Sequence, residues 1–297
     1  MSFSSEVKAE LCREAVGRRA LAAAEAYGVL LYCQIYTPRE IRVVTASAPF
    51  AERLPKLFSR AFGASFDAPA ETGGGRWVFS VTDADTIRKI FAAFGAEIDR
   101  TLSHHINLGV LEEPGCRRAF VRGAFLAGGS ATDPEKNYHL EFITAHYSVS
   151  REAYSILVEM GFSPREISRG GNYILYFKKS EAIEDLLTTL GASGAAMRVM
   201  SAKVEKSMNN AINRKVNCDT ANADKVVAAA QEQMDAIRRI ERACGLGVLP
   251  EKLQEAALLR IANPEASLAD LAALSYPPVT KSCLSYRLKK IVEFEVE

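Results

Sequence analysis

The sequence has no apolar run that approaches the about 18 residues a membrane span needs. Its first residues also lack the basic-then-apolar order of a secretion signal, and residues 4–10 instead predict a capped amphipathic helix. These absences predict a cytoplasmic protein with no membrane partner.

Closely spaced cysteines are also absent. The six cysteines are scattered among 297 residues without a Cys-x-x-Cys pair, so they predict reduced thiols rather than disulfides or a zinc site. The adjacent pair His104-His105 lies in a linker, where neighbouring side chains diverge and cannot bind one ion together. We therefore expect no metal and no cofactor.

A strong overall charge is missing too, because the formal net charge is only +1. A net charge near zero can nevertheless hide local patches of one sign. The stretch 275–290 contains no acidic residue, and its four cations are Lys281, Arg287, Lys289 and Lys290. A local basic surface near the C-terminus is therefore predicted despite the neutral total.

The chain does contain an internal duplication. Gly123 lies 95 positions after Gly28, and each is followed by an apolar run. The segments 87–95 and 183–191 match at a separation of 96, and Gly161 follows Gly63 by 98 positions. Nearly constant separations predict two copies of one unit, within a chain that is 48% hydrophobic and long enough for two or three domains.

Each copy has the pattern helix, strand pair, helix, strand pair, helix. Helices are predicted over 50–62, 85–94, 150–160 and 180–190, and hairpin turns at Gly73-Gly74-Gly75 and Gly170-Gly171. Segregated helices and strand pairs favour an α+β fold with one antiparallel sheet per copy. Small residues on the first helix of each copy favour a close, pseudo-two-fold helix pair; they are Gly28, Gly123, Ala124 and Ala127.

From about residue 196 the strand pattern ends, and two long helices are predicted over 203–216 and 220–244. The first part is basic and rich in asparagine, with the cations Arg198, Lys203, Lys206, Arg214 and Lys215 and the single acid Glu205. Such a segment is either a solvated helix face or a connector that contacts phosphates or links domains.

Three short helical patterns follow Pro250. Ser267 and Thr280 are predicted N-caps of the second and third, and Leu284, Leu288 and Ile291 give the third an apolar face. Such a helix packs through one face and presents basic, hydroxyl-bearing and aromatic side chains on the other. A helix of this kind fits the major groove of DNA, which favours a helix-turn-helix. The candidate DNA-binding residues are Ser267, Thr280, Lys281, Ser282, Ser285, Tyr286, Arg287, Lys289 and Lys290.

Four runs together resemble the WhiA family of bacterial regulators: 1–11, 118–130, 213–222 and 277–282. The resemblance covers nearly the whole chain. It implies a duplicated fold like that of LAGLIDADG homing endonucleases, joined to a helix-turn-helix. It also implies a nucleoid-associated transcription regulator that binds promoter DNA and acts in cell division, chromosome segregation and, in spore formers, sporulation.

The domain boundaries that this interpretation predicts are an N-terminal helix (1–19), a first repeat (20–100), a second repeat (112–195), a helical connector (196–245) and a helix-turn-helix domain (246–297). The pair Ser285-Tyr286 stands where related sequences tend to carry Asn-His, at positions expected to contact bases.

Two alternative functions remain at this point. A nuclease needs a carboxylate near the end of each motif helix to hold metal ions at the scissile phosphate, but the aligned positions are Cys33 and Gly128, and the second copy has no acid nearby until Asp133. Catalysis is therefore not expected. A protein-interaction scaffold of the division machinery, with partners bound by the duplicated region, is the other alternative, and the basic third helix distinguishes a DNA-binding protein from it.

Overall fold

The computed structural model describes residues 2–67, 69–72, 75–96 and 103–295. The chain divides into two compact units, an N-terminal unit (Met1–Lys206) and a C-terminal unit (Ser207–Glu297). Gly73 and Gly74 of the first predicted hairpin turn lie outside the described residues, whereas Gly170 and Gly171 form the second turn with positive φ angles of 57° and 79°.

The first copy follows a short helix α1 (Phe3–Leu11). Its elements are α2 (Arg19–Tyr32), β1 (Ile35–Tyr36), β2 (Ile41–Thr45), α3 (Ala48–Phe62), β3 (Pro69–Thr72), β4 (Arg76–Val81) and α4 (Ala84–Ala92). The four strands form an antiparallel sheet in the order β1-β2-β4-β3. The predicted helix 85–94 is shorter than expected, because α4 ends at Ala92 and a turn leads to Gly95.

The second copy repeats this order element by element. It consists of α5 (Cys116–Gly128), β5 (Gly129–Ala131), β6 (Leu140–Thr144), α6 (Tyr147–Glu159), β7 (Arg165–Arg169), β8 (Asn172–Phe177) and α7 (Ser180–Leu190). Its antiparallel sheet has the matching order β5-β6-β8-β7. The duplication and the α+β class are thereby confirmed.

The two copies meet through α2 and α5, whose backbones approach too closely for any side chain at two positions. A Cβ added to Gly28 would lie 2.1 Å from the Phe120 carbonyl oxygen, and one added to Gly123 would lie 1.9 Å from that of Glu25. Both distances are far below van der Waals contact. The predicted close helix pair is confirmed, and glycine is required at both positions.

One charged group lies inside this contact. Glu25 on α2 is 1% exposed, and its carboxylate accepts hydrogen bonds from Arg53 of the same copy and Arg122 of the other. The distances from Glu25 are 2.6 Å to Arg53 Nε and 2.7 Å to Arg122 Nη2. A single buried carboxylate therefore bridges guanidinium groups from both copies.

The helical connector differs from its prediction. A single helix, α8 (Ser193–Cys244), replaces the two predicted helices. The break was expected near Asn217-Cys218-Asp219, which are weak helix formers, but weak propensity does not stop a helix that contains no proline and no glycine between Gly194 and Gly245. Within the described parts of the chain, no helix is both long and apolar enough to cross a membrane.

The C-terminal unit adds three short helices, α9 (Glu251–Ala262), α10 (Leu268–Leu274) and α11 (Lys281–Val292). Their shared core also takes in the last turns of α8, because Ile237 and Ile240 are fully buried with Leu271, Leu288 and Ile291. This core fixes which face of α11 is left exposed.

Candidate nucleic-acid interface

Helix α11 begins where the sequence predicts. The Thr280 side-chain oxygen accepts a hydrogen bond of 3.2 Å from the backbone N–H of Cys283, which caps the helix. Leu284, Leu288 and Ile291 are at most 1% exposed and hold the helix against α9 and α10. This anchored face orients the remaining side chains outward.

The exposed face of α11 collects most of the predicted DNA-binding residues. At 100° per residue the exposed residues span an arc of about 180°, with Ser282 and Lys289 nearest its centre and Ser285 about 50° from it. The exposed residues are Lys281, Ser282, Ser285, Tyr286, Lys289 and Lys290. Two hydroxyl groups, an aromatic ring and three ammonium groups therefore share one helix surface.

The lysines at the end of this face interact with one acid. Glu293 lies 3.1 Å from Lys290 and 3.6 Å from Lys289, and these contacts raise the pKa of Lys290 and lower that of Glu293. The Lys290 ammonium also lies 5.9 Å from the centre of the Tyr286 ring. Exposed ion pairs of this kind are weak, so a phosphate can displace Glu293.

Arg287 is placed differently from its prediction. Its side chain is only 16% exposed, and its guanidinium lies 3.7 Å from the Glu255 carboxylate on α9. At 100° per residue it projects about 200° from Ser285, towards the neighbouring helix. This arginine therefore contacts α9 and is not part of the exposed face of α11.

Ser267 is the N-cap residue of α10 and does not lie with the α11 residues. Its hydroxyl donates a hydrogen bond of 2.7 Å to the Asp270 carboxylate and accepts one of 3.3 Å from the Asp270 backbone N–H. Its N-cap position is confirmed. Both bonds occupy the hydroxyl in capping α10.

Sequence reasoning missed the group that connects α8 to the short helices. Arg260 is 1% exposed, and it donates hydrogen bonds to the Gln233 side chain on α8 at 3.0 Å and to the Ala266 carbonyl at 2.7 Å. Burial lowers the pKa of this guanidinium. The signal that could have found the contribution of α8 is the spacing of Ala230, Met234 and Ile237, which continues an apolar helix face before the predicted boundary at 246.

The basic segment of the connector is largely bound to the N-terminal unit. Arg198 forms an ion pair with Glu6, Lys203 lies 2.6 Å from Glu181, and Lys206 donates to the Pro134 carbonyl at 2.8 Å. Arg214 and Lys215 are exposed. Three of the five cations of this segment therefore already contact protein groups, which argues against the interpretation that the segment contacts phosphates.

The two positions that would hold metal ions in a nuclease are occupied by residues without a carboxylate, Cys33 and Gly128. Cys33 caps α2, its thiol donates to the carbonyls of Leu30 and Ile35 at 3.1 and 3.2 Å, and burial raises its pKa to about 12. Gly128 is the last residue of α5. Among the residues that the structure describes, no three His, Cys, Asp or Glu side chains are grouped so as to hold a metal ion.

The linker histidine His104 lies against aromatic rings. Its ring stacks on Tyr36 with the ring centres 4.8 Å apart and meets the His146 ring edge-on at 4.5 Å. Burial lowers the pKa of both histidines, that of His146 to about 4. Both rings are therefore neutral near pH 7 and pack as aromatic groups between the two copies.

Sequence comparison assigns both units to known domains. The WhiA LAGLIDADG-like domain matches residues 117–209, and the WhiA C-terminal HTH domain matches residues 212–295. The chain belongs to the WhiA family. The match of the HTH domain begins within α8, in agreement with the core that α8 shares with the short helices.

Relatives of similar length support this assignment. The probable cell division protein WhiA of Clostridium perfringens is 34% identical over 100% of this chain and 98% of its own. That of Ruminiclostridium cellulolyticum is 34% identical over 99% and 96%, respectively.

Two crystal structures from the family share the fold. Full-length WhiA from Thermotoga maritima covers 99% of this chain and 97% of its own, with a TM-score of 0.62 and 24% identity. An isolated N-terminal LAGLIDADG domain of WhiA covers 64% of this chain, with a TM-score of 0.52 and 19% identity. The predicted LAGLIDADG-like fold with a helix-turn-helix is confirmed.

Proposed function

We propose that the protein is a sequence-specific DNA-binding transcription regulator of cell division, and that it acts on chromosome segregation and, in spore formers, sporulation. The observation that carries the proposal is the exposed face of α11, which presents cations and hydroxyl groups from a helix fixed by a buried apolar face. Lys281 and Lys289 are suited to phosphates, and Ser285 and Tyr286 to base edges.

Selection of bound sequences from random double-stranded DNA tests this proposal. The full chain is expected to enrich one sequence motif. Lys281→Ala and Lys289→Ala should each lower the salt slope of log K by about 1, because each removes a phosphate contact. Lys225→Ala is the matched control, since Lys225 is an exposed lysine on α8. Failure to enrich any motif would contradict specific binding.

The pair Ser285-Tyr286 gives a sharper test of direct base contact. Replacing both residues with Asn-His changes the groups offered to base edges while leaving the buried face of α11 intact. A base-edge contact is worth about 1–3 kcal/mol of discrimination, so we expect a changed base preference at the contacted positions. An unchanged preference and affinity would remove both residues from the recognition surface.

We further propose that the LAGLIDADG-like unit does not cleave DNA. Cys33 and Gly128 supply no oxygen ligand, and the Cys33 thiol is buried and hydrogen-bonded. Supercoiled plasmid and the selected DNA should therefore remain intact after incubation with magnesium or manganese. Cleavage that a chelator abolishes would overturn this proposal.

A second candidate function, protein binding by the LAGLIDADG-like unit, is favoured by one observation. On the second sheet Ile143, Ile174 and Ile167 lie side by side on three neighbouring strands, and Ile167 is 53% exposed. A polyanion is bound by cations, whereas an apolar row suits a protein partner. Ile167→Glu should then impair cell division while DNA binding in vitro stays unchanged. Equal loss of both activities would argue against a separate protein site.

A further inference from the structure

The middle of α8 exposes an apolar face that the described part of the chain leaves uncovered. We name it the 208–227 stripe; it consists of five apolar residues, Met208, Ile212, Val216, Ala223 and Val227, and of Asp219 near one edge. The side chains of Met208, Ile212, Val216 and Val227 are 59%, 57%, 54% and 67% exposed. At 100° per residue the six positions fall within an arc of about 100°, over about 28 Å of helix. An exposed apolar surface of this extent is typical of an interface.

The stripe is symmetric about its own centre. Its spacings are four, four, three, four and four residues, so they are the same in both directions from the point between Asn217 and Cys218. When two such helices pack antiparallel about this point, Ile212 lies level with Ala223 of the second helix. Met208 likewise lies level with Val227. The two largest side chains, Met208 and Ile212, therefore face smaller ones, which suits close packing, and Val216 lies level with Asp219 at the edge of the contact.

The charges beside the stripe favour the same arrangement. Asp219 lies just inside one edge of the stripe and Lys215 just outside that edge, and antiparallel packing brings the Lys215 of each helix within one residue's rise of the Asp219 of the other. Parallel packing would instead place Asp219 level with Asp219 in the apolar seam. Because like charges opposite one another are unfavourable, the charge pattern selects the antiparallel pair.

We infer that a second copy of this chain covers the 208–227 stripe, as an antiparallel helix pair with two-fold symmetry. The contact is isologous, so both copies use the same residues. A strip about 28 Å long and one helix wide buries on the order of 500 Å² per copy, below the about 800 Å² of a standard interface. The dimer is therefore weak and reversible, and two copies held on adjacent DNA half-sites would favour it.

Sedimentation equilibrium of the full chain without DNA tests the dimer. Between about 5 and 500 µM the mass should rise from 32.4 kDa towards twice that value. Ile212→Lys should weaken dimerisation at least about tenfold, because it places a charge in the apolar seam. Asn210→Lys is the matched control, since it adds the same charge to an exposed position on the opposite face of α8. A mass of 32.4 kDa throughout would overturn the inference.

A charge exchange tests the flank. Lys215→Asp should weaken the dimer by about threefold or more, because it creates two carboxylate pairs in place of two ion pairs. The double variant Lys215→Asp with Asp219→Lys should regain most of the lost association. Equal dimer strength in all three proteins would contradict the proposed register.

Cross-linking tests the antiparallel direction. In a chain whose exposed cysteines are changed by Cys218→Ser and Cys244→Ser, one variant carries Ile212→Cys and another Ala223→Cys. Because facing positions on packed helices lie about 8–10 Å apart, a short bismaleimide should link a mixture of the two variants far more than either one alone. Preferred linkage of each variant to itself would show a parallel pair and overturn the inference.

Discussion

Glu25 is the residue on which the contact between the two LAGLIDADG-like copies most depends. Its buried carboxylate is the shared partner of Arg53 and Arg122, which are 4% and 7% exposed in their side chains. Glu25→Gln keeps the shape but removes the charge, and it leaves buried Arg53 without its ion pair and Arg122 with only the half-exposed Glu14 carboxylate at 3.9 Å. Breaking a buried ion pair typically costs about 3–5 kcal/mol, so a loss of that size in the free energy of unfolding is expected in urea titrations.

Glu113→Gln is the matched control for this substitution. Glu113 pairs with Arg18 at 2.8 Å, but both side chains are more than half exposed. An exposed pair is worth about 0–1 kcal/mol, so this variant should unfold almost as the natural chain does. Equal losses for the two variants would show that Glu25 does not act through its buried position.

At the scale of single residues the sequence predicted caps well and side-chain partners poorly. Ser267 and Thr280 were identified because an N-cap bond is local and leaves a sequence pattern. The contact of Arg287 with Glu255 was missed, since it depends on how α9 and α11 pack. A helical wheel places Arg287 on the flank of the apolar face, and only the packing of α9 shows that Glu255 lies within 3.7 Å of it.

At the scale of helices and strands, the α2–α5 pair gives a strong prediction. Gly28→Ala and Gly123→Ala each force a Cβ against a backbone carbonyl of the opposite helix, at 2.1 and 1.9 Å. The helices must separate, so we expect each to destabilise the N-terminal unit by about 1–3 kcal/mol or more, although alanine is the better helix former. Thermal unfolding followed by circular dichroism measures the loss.

Gly247→Ala serves as the control for both glycine variants. No atom lies within 4 Å of the Cβ that it would add, so the midpoint of unfolding should change little. If Gly28→Ala or Gly123→Ala were equally mild, the close approach of α2 and α5 would not be what requires glycine.

The elements that the sequence predicted correctly are those with local signals. Gly63 and Gly191 end α3 and α7 with positive φ angles of 61° and 105°, and glycine at such positions is recognisable from sequence. The continuity of α8 was not predictable in the same way. Asn217, Cys218 and Asp219 in its middle are exposed and are weak helix formers, so helix propensity predicts a break there although the apolar residues on either side keep a helical spacing.

At the scale of the whole molecule, the extent of the helix-turn-helix domain is the point on which sequence and structure differ most. The predicted boundary at residue 246 lies at Gly245-Leu246-Gly247, whose two glycines indicate a break in the helix. The buried core nevertheless includes Ile237 and Ile240 from α8, both of which are fully buried. A glycine-rich break is a local signal, whereas a shared core is a tertiary one, and this shared core leads us to propose that the domain begins within α8.

Two fragments of the chain test this boundary. Residues 225–297 retain the last five turns of α8, including Gln233, which accepts a hydrogen bond from buried Arg260. Residues 246–297 lose that partner together with Ile237 and Ile240. Because burying an isoleucine side chain is worth about 1.5–3 kcal/mol, the shorter fragment loses a large share of the about 5–15 kcal/mol that stabilises a small domain.

We expect the longer fragment to unfold cooperatively and to bind the selected DNA. The shorter fragment should show no unfolding transition and no specific binding. Equal unfolding midpoints for the two fragments would restore the boundary at 246 and remove α8 from the domain.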